Sequence, residues 1–196
     1  AVAKNNFDQL IWNYGSSNEI VNTKMSNFLL VNNSNIVALN GASQIFPFIK
    51  AKYGHQKALI PSPTFGEYDR IFDNKTYYDG CYNHTQEDFL KLIEENQVIV
   101  IVNPNNPTGS VINSSDIIKY ADNFQEKLFI IDESFIDFSD ICSVIAILEE
   151  ERRDNIIVVR SMSKSHGFPG VRLGYVYSTC KDIIGDIKKY IPIWNF

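Results

Sequence analysis

Three runs of branched aliphatic residues limit what this chain can fold into more than any other feature. Val98-Ile99-Val100-Ile101-Val102, Leu128-Phe129-Ile130-Ile131 and Ile156-Ile157-Val158-Val159 place apolar side chains at consecutive positions. Successive side chains of a strand point to opposite faces, so each run needs burial on both. Two weaker strands are predicted at 57–60 and 171–177. Helix-length segments lie between the runs. Thr85-Gln86-Glu87-Asp88 opens one, followed by Phe89, Leu90, Leu92 and Ile93, and Ser114-Ser115-Asp116 opens another, followed by Ile117, Ile118, Tyr120 and Ala121. Both openings offer small polar side chains that can accept from the first free amides of a helix. Strand-helix alternation predicts an α/β fold, a three-layer sandwich around a mostly parallel sheet. Ligands of such sheets gather at the carboxyl ends of the strands, so chemistry is sought there.

Charge and cysteine usage narrow the function classes. Eighteen Lys and Arg against 23 Asp and Glu leave a net charge of −5, opposite to the basic excess that nucleic-acid backbones demand. No apolar run reaches the ~18 residues of a membrane span. The cysteines at 81, 142 and 180 are widely spaced and odd in number, which predicts neither a disulfide framework nor a structural metal site. A reduced, cytoplasmic setting is expected. The apolar end, Ile191-Pro192-Ile193-Trp194-Asn195-Phe196, suggests a piece of a longer protein.

Four motifs sit at predicted strand ends. Asn103-Pro104-Asn105-Asn106-Pro107-Thr108-Gly109 follows the run 98–102, and Asp132-Glu133-Ser134-Phe135 follows 128–131. Ser161-Met162-Ser163-Lys164-Ser165-His166-Gly167-Phe168-Pro169-Gly170-Val171-Arg172 follows 156–159 and combines hydroxyls with a guanidinium that can fork onto a phosphate. Asn40-Gly41-Ala42-Ser43-Gln44 is a glycine turn opening a helix, whose free amides suit an anion. Taken singly, each has a plain structural reading: a rigid turn, an exposed strand terminus, a solvated lysine, a helix start.

Together and in this order, the strings NPNNPTG, DESF and SMSKSHGFPGVRLGY resemble the class I/II aminotransferases, enzymes of fold type I that use pyridoxal phosphate (PLP). The resemblance covers 40–196 and is nearest to histidinol-phosphate aminotransferases and threonine-phosphate decarboxylases. It implies a large PLP-binding domain over 40–196, with 1–39 the truncated start of that domain and the C-terminal small domain absent. It also implies one antiparallel strand in the sheet. Lys164 is then the Schiff-base lysine and the general base and acid, a role that burial and cationic neighbours favour by lowering an amine's pKa. Asp132 pairs with the ring nitrogen, Asn106 donates to the ring oxygen, and Phe65 stacks on the ring face. Ser161, Ser163, Arg172 and the backbone amides of Ala42 and Ser43 hold the phosphate. No metal is expected.

The resemblance further implies a homodimer, with Tyr14 a candidate for reaching the neighbour's phosphate. Tyr14 and Phe65 also have ordinary packing readings, and His166 reads as a loop histidine. Phe135 departs from the family's frequent tyrosine three residues after the aspartate and cannot donate a hydrogen bond. That departure, like the Ile193-Trp194-Asn195 end, looks more like the phospho-amino-acid decarboxylases. The leading activity is amino-group transfer on a small polar amino acid, phosphorylated ones included, with decarboxylation of an O-phospho amino acid as the alternative. A non-catalytic fragment that keeps the fold is the reading from a different class. The chain alone is expected to be poorly active, because the family's substrate-carboxylate arginine lies in the small domain.

Overall fold

The computed structural model describes residue 12, residues 15–167, residues 169–192 and residue 195. Seven strands form one sheet: β1 (Ile36–Asn40), β2 (Lys57–Ser62), β3 (Asn74–Asp79), β4 (Val98–Val102), β5 (Leu128–Asp132), β6 (Ile156–Ser161) and β7 (Leu173–Tyr177), in the order β1-β7-β6-β5-β4-β2-β3. Pairs β2–β3, β2–β4, β4–β5 and β5–β6 are parallel, while β7 runs antiparallel to both β1 and β6. The mostly parallel sheet with one reversed strand is therefore as expected. The strands β1 and β3 were not foreseen. In β3, Asn-Lys-Thr-Tyr-Tyr-Asp is too polar to stand out, and as an edge strand it buries only Tyr78.

Burial on two faces is visible residue by residue. In β4, Val98, Val100 and Val102 enter one core, and Ile99 and Ile101 the other. The first core is closed by α2 (Phe46–Tyr53), α3 (Glu67–Ile71) and α8 (Lys181–Tyr190), through residues such as Phe46, Tyr68 and Ile187. The second is closed by α1 (Asn18–Leu29), α4 (Gln86–Glu94), α5 (Ser114–Asn123) and α6 (Val144–Glu150), through Met25, Phe89, Ile117 and Val144 among others. Helices on both faces make the three layers.

The two foreseen helices form, and their starts differ. Thr85 accepts from the Asp88 amide at 3.1 Å, the capping role expected of it. Ser114 does not cap α5. Asn113 occupies the cap position, and the Ser114 hydroxyl instead donates to the Cys142 carbonyl, tying α5 to the segment before α6. The strand expected over 171–177 starts at Leu173, because Pro169–Val171 forms a 3-10 turn.

Because β1, β2, β4, β5 and β6 point one way, their carboxyl ends lie along one edge of the sheet. The reversed β7 begins at that same edge, so the residue just before it, Arg172, arrives there too. Between β1 and β6 the packing is close enough to demand glycine. A Cβ on Gly174 would lie 2.5 Å from the Ala42 amide nitrogen and 2.8 Å from the Arg160 carbonyl oxygen, both backbone atoms. Gly174→Ala should cost about 1–3 kcal/mol of stability, the usual penalty of overpacking. Urea unfolding checks this, and an unchanged midpoint would show that the turn at Ala42 can yield.

Candidate active site

A cavity opens at this edge. Ala42, Ser43, Phe65, Asn106, Asp132, Ser161, Ser163, Lys164 and Arg172, the residues given a role toward the cofactor by the resemblance, line it together. Phe46, Val102, Ser134, Phe135 and Pro169 complete the wall. Tyr14 lies outside the described residues.

Each segment reaches the cavity for a local reason. In the loop after β4, two of three asparagines are consumed by structure. Asn103 exchanges hydrogen bonds with the Ile112 backbone at 2.8 and 2.9 Å. The amide of Asn105 donates to Pro63 O, Gly80 O and Thr108 Oγ1, and its oxygen accepts from Thr64. Asn106, which follows them, turns its half-buried side chain to the cavity.

At the end of β5, Asp132 is 5% exposed. One oxygen accepts from the Ser134 amide at 2.9 Å and the other from the Tyr68 hydroxyl at 2.9 Å. Burial pushes its carboxyl above the usual range, and these two bonds and the Lys164 charge pull the other way. Tyr68, wholly buried, was not anticipated; its phenol is held well above the usual value by burial and by the Asp132 charge. Its place three residues after Phe65, one turn along, was the only signal in the sequence.

The lysine-bearing turn α7 (Met162–Ser165) follows β6 directly, with the Ser161 amide donating to Ser134 Oγ at 3.2 Å. The Lys164 amine stands 5.6 Å above the Phe135 ring. Lys164 is exposed in the cavity wall rather than buried, so the burial expected to tune it is not provided by this chain. His166 contacts Ser165 Oγ at 3.0 Å through Nδ1 and packs edge-on against Phe28, consistent with a loop histidine.

The opposite wall suits an anion. Gly41 has φ +76°, and a Cβ there would meet the Arg172 guanidinium at 2.7 Å, so glycine keeps this space open. The helix foreseen after Gly41 begins as a 3-10 turn over Ala42–Ile45 before α2. Arg172 itself has a left-handed backbone, φ 56°, a state that costs a non-glycine residue ~1 kcal/mol or more and points to function. Ser163 Oγ is buried without a hydrogen-bond partner among the described residues. An orphaned hydroxyl beside a guanidinium and the first amides of a turn is the donor set a phosphate would satisfy. Phe65 is 40% exposed and lines the cavity, packed on Phe46, so it is not a core residue.

The model of the class I and II aminotransferases matches residues 13–196. The chain belongs to that family. Pyridoxal phosphate is the family's cofactor, and the orphaned Ser163 and the Gly41–Arg172 cradle fit its phosphate. An L-serine phosphate decarboxylase of Campylobacter jejuni is 30% identical over 201 residues, covering 93% of this chain and 50% of the relative. A histidinol-phosphate aminotransferase of Christiangramia forsetii is 31% identical over 185 residues, covering 89% of this chain and 52% of the relative. The crystal structure of a histidinol-phosphate aminotransferase from Clostridium acetobutylicum superimposes with a TM-score of 0.81 at 30% identity, covering 98% of this chain and 60% of that one. This aminotransferase-family chain thus has the fold-type I architecture and spans about half the length of the curated relatives it matches. Among the described residues no helix is long and apolar enough to cross a membrane, and no cluster of His, Cys, Asp and Glu could hold a metal.

Next to Asp132, Glu133 is fully buried and anchors a neighbouring element. It accepts from the Val144 amide at 2.7 Å and from the Ser143 hydroxyl, fastening the start of α6. Burial pushes its carboxyl up to about 7, from 4.5. The folded state therefore holds this proton more tightly than the unfolded chain. The stability it contributes is complete below about 4.5 and is lost as pH rises through about 7, an effect of roughly 3 kcal/mol at ~1.4 kcal/mol per pH unit. Glu133→Gln should flatten that part of the stability profile. Denaturant titrations of both proteins at about pH 5 and pH 8 test it: equal pH slopes would mean that Glu133 titrates as an ordinary carboxylate.

Proposed function

We propose that the protein to which this chain belongs transfers amino groups, acting on a small polar amino acid and on phosphorylated ones in particular. The observation that carries the reading is the meeting of Lys164, Asp132, Asn106 and the unpartnered Ser163 hydroxyl in one cavity. Bound there, PLP supplies an electron sink for the pair released at the substrate's α-carbon. The residues of the chain do the rest. Ser161, Ser163, Arg172 and the amides of Ala42 and Ser43 grip the phosphate and set the cofactor's position. Phe65 covers one ring face. Asp132 would pair with the ring nitrogen and keep its proton in place, and Asn106 would donate to the ring oxygen. Lys164 would anchor the cofactor through its amine and, once released, would be placed to take and carry the proton of the substrate's α-carbon. Domain 40–196 carries this cup, with 1–39 as its N-terminal part, and a small domain and a second subunit complete the substrate site. Both relatives named above carry a phosphate compound in their names, which supports a phosphorylated substrate.

One observation favours decarboxylation as a second reading. Phe135 lies on the cavity wall under the Lys164 amine, where it can only pack. It gives the ring oxygen one donor fewer than a tyrosine there.

Full-length protein should show the visible absorbance of lysine-bound PLP. Lys164→Ala should abolish both that band and turnover, the latter by at least about a thousandfold. A borohydride-trappable adduct surviving in Lys164→Ala would sink the assignment. With phosphoserine or phosphothreonine and a 2-oxo acid, the oxo acid should be converted to its amino acid. Release of one carbon dioxide per substrate, with no amino group moved, would establish the second reading and overturn the first.

A further inference from the structure

We propose that Tyr68 is a positioning residue for Asp132: its buried phenol holds the carboxylate ionised and aimed at the cofactor's ring nitrogen. The inference rests on the PLP reading above and adds to it a residue that touches neither cofactor nor substrate.

Asp132 has to carry charge where there is almost no water. A carboxylate so placed takes up a proton unless donors hold the charge. Two donors do so here, one on each oxygen: the Ser134 amide and the Tyr68 hydroxyl, both at 2.9 Å. The Ser134 bond is local, two residues along the chain, and comes with the turn after β5. The Tyr68 bond joins Asp132 to α3 across the first core. It is wholly buried, and hydrogen bonds to a charge gain strength in a low dielectric. A carboxylate accepts at about four lone-pair positions, so two bonds leave capacity for a ring N–H.

The geometry also fixes where Tyr68 points. Its ring meets Phe46 edge-on, with centroids 5.2 Å apart at 87°, and meets Phe65 at 6.5 Å and 77°. Phe46 and Phe65 both line the cavity. One side chain thus supports two sides of the cofactor, Asp132 at the ring edge through its hydroxyl and Phe65 at the ring face through its ring. A phenylalanine at 68 would fill the same volume and support Phe65 equally. Only the hold on Asp132 requires the hydroxyl, so removal of that single oxygen separates positioning from packing.

The experiment uses the full-length PLP-bound enzyme with Tyr68→Phe, Asp132→Asn and the double variant. Tyr68→Phe should lower kcat about tenfold, the size expected of one charged hydrogen bond, with KM for the amino acid within about twofold of wild type. PLP affinity, measured by dialysis, should fall by a similar factor. The acid limb of the visible absorbance against pH should move up by about one unit. In the Asp132→Asn background the same change should do none of these, because the charge it serves is gone. Equal effects in both backgrounds would overturn the proposal. So would a lower melting temperature with affinity and acid limb unmoved, since that is what a purely structural tyrosine gives. If Tyr68→Phe does not fold, 3-fluorotyrosine at 68 replaces it: the more acidic phenol binds the carboxylate more strongly and should move the acid limb down, and an unmoved limb overturns the proposal. Failure of the wild-type enzyme to take up PLP, or full turnover in Asp132→Asn, would instead overturn the cofactor reading on which this one rests.

Discussion

A carboxylate stripped of water at the end of a central strand is the constraint around which this structure is arranged. Asp132 is nearly inaccessible, and burial alone would neutralise it. The turn after β5 supplies one donor and α3 another, and the lysine turn after β6 brings a positive charge near. The elements that meet at Asp132 are the elements that build the cavity. Glu133 beside it is buried as well, but it is spent on a different task, the anchoring of α6. Adjacent acidic residues of one motif thus face opposite sides of the sheet, as alternation along an extended chain requires.

The reversed strand β7 is the second determinant. In an all-parallel sheet, the chain leaving Lys164 would cross a layer and return at the far edge. Here it folds through a 3-10 turn straight into β7, between β6 and β1. Arg172 therefore stays at the edge where β1 and β6 deliver Ala42, Ser43, Ser161 and Ser163. Gly174 lets the Ala42 backbone come within contact of β7, and Gly41 leaves room for the guanidinium. The anion cup is a product of these close approaches, and backbone strain at Arg172 is accepted to complete it.

Membership of the class I and II aminotransferase family places PLP chemistry on this scaffold, and the scaffold is indifferent to which bond at the α-carbon is broken. Relatives bearing aminotransferase and decarboxylase names share the same half of the molecule. What a domain of this kind supplies is a positioned electron sink and a mobile proton carrier. Orientation of the substrate, which selects the bond, depends on groups that grip its carboxylate. Phe135 lines the cavity of this chain and has no donor to offer a ligand there.

The sequence by itself determined the layered α/β class, because runs such as 98–102 can be satisfied only by burial on two faces, and each of their side chains is indeed assigned to one core or the other. It also determined which residues meet in one cavity, since Lys164, Asp132, Asn106 and Arg172 sit in short strings tied to strand ends, where spacing along the chain and position in space nearly coincide. Polar β3 escaped because an edge strand needs no apolar run, whereas β1 does carry one, the four buried residues Ile36-Val37-Ala38-Leu39, less rich in β-branched residues than β4. Only the tertiary structure decided that Tyr68 donates to Asp132, 64 residues away in sequence, that Ser114 ties α5 to the segment before α6 instead of capping a helix, and that Lys164 stands open in the cavity. Those outcomes depend on which elements become neighbours across the sheet, and hydrogen bonding at that range leaves no local pattern in the chain.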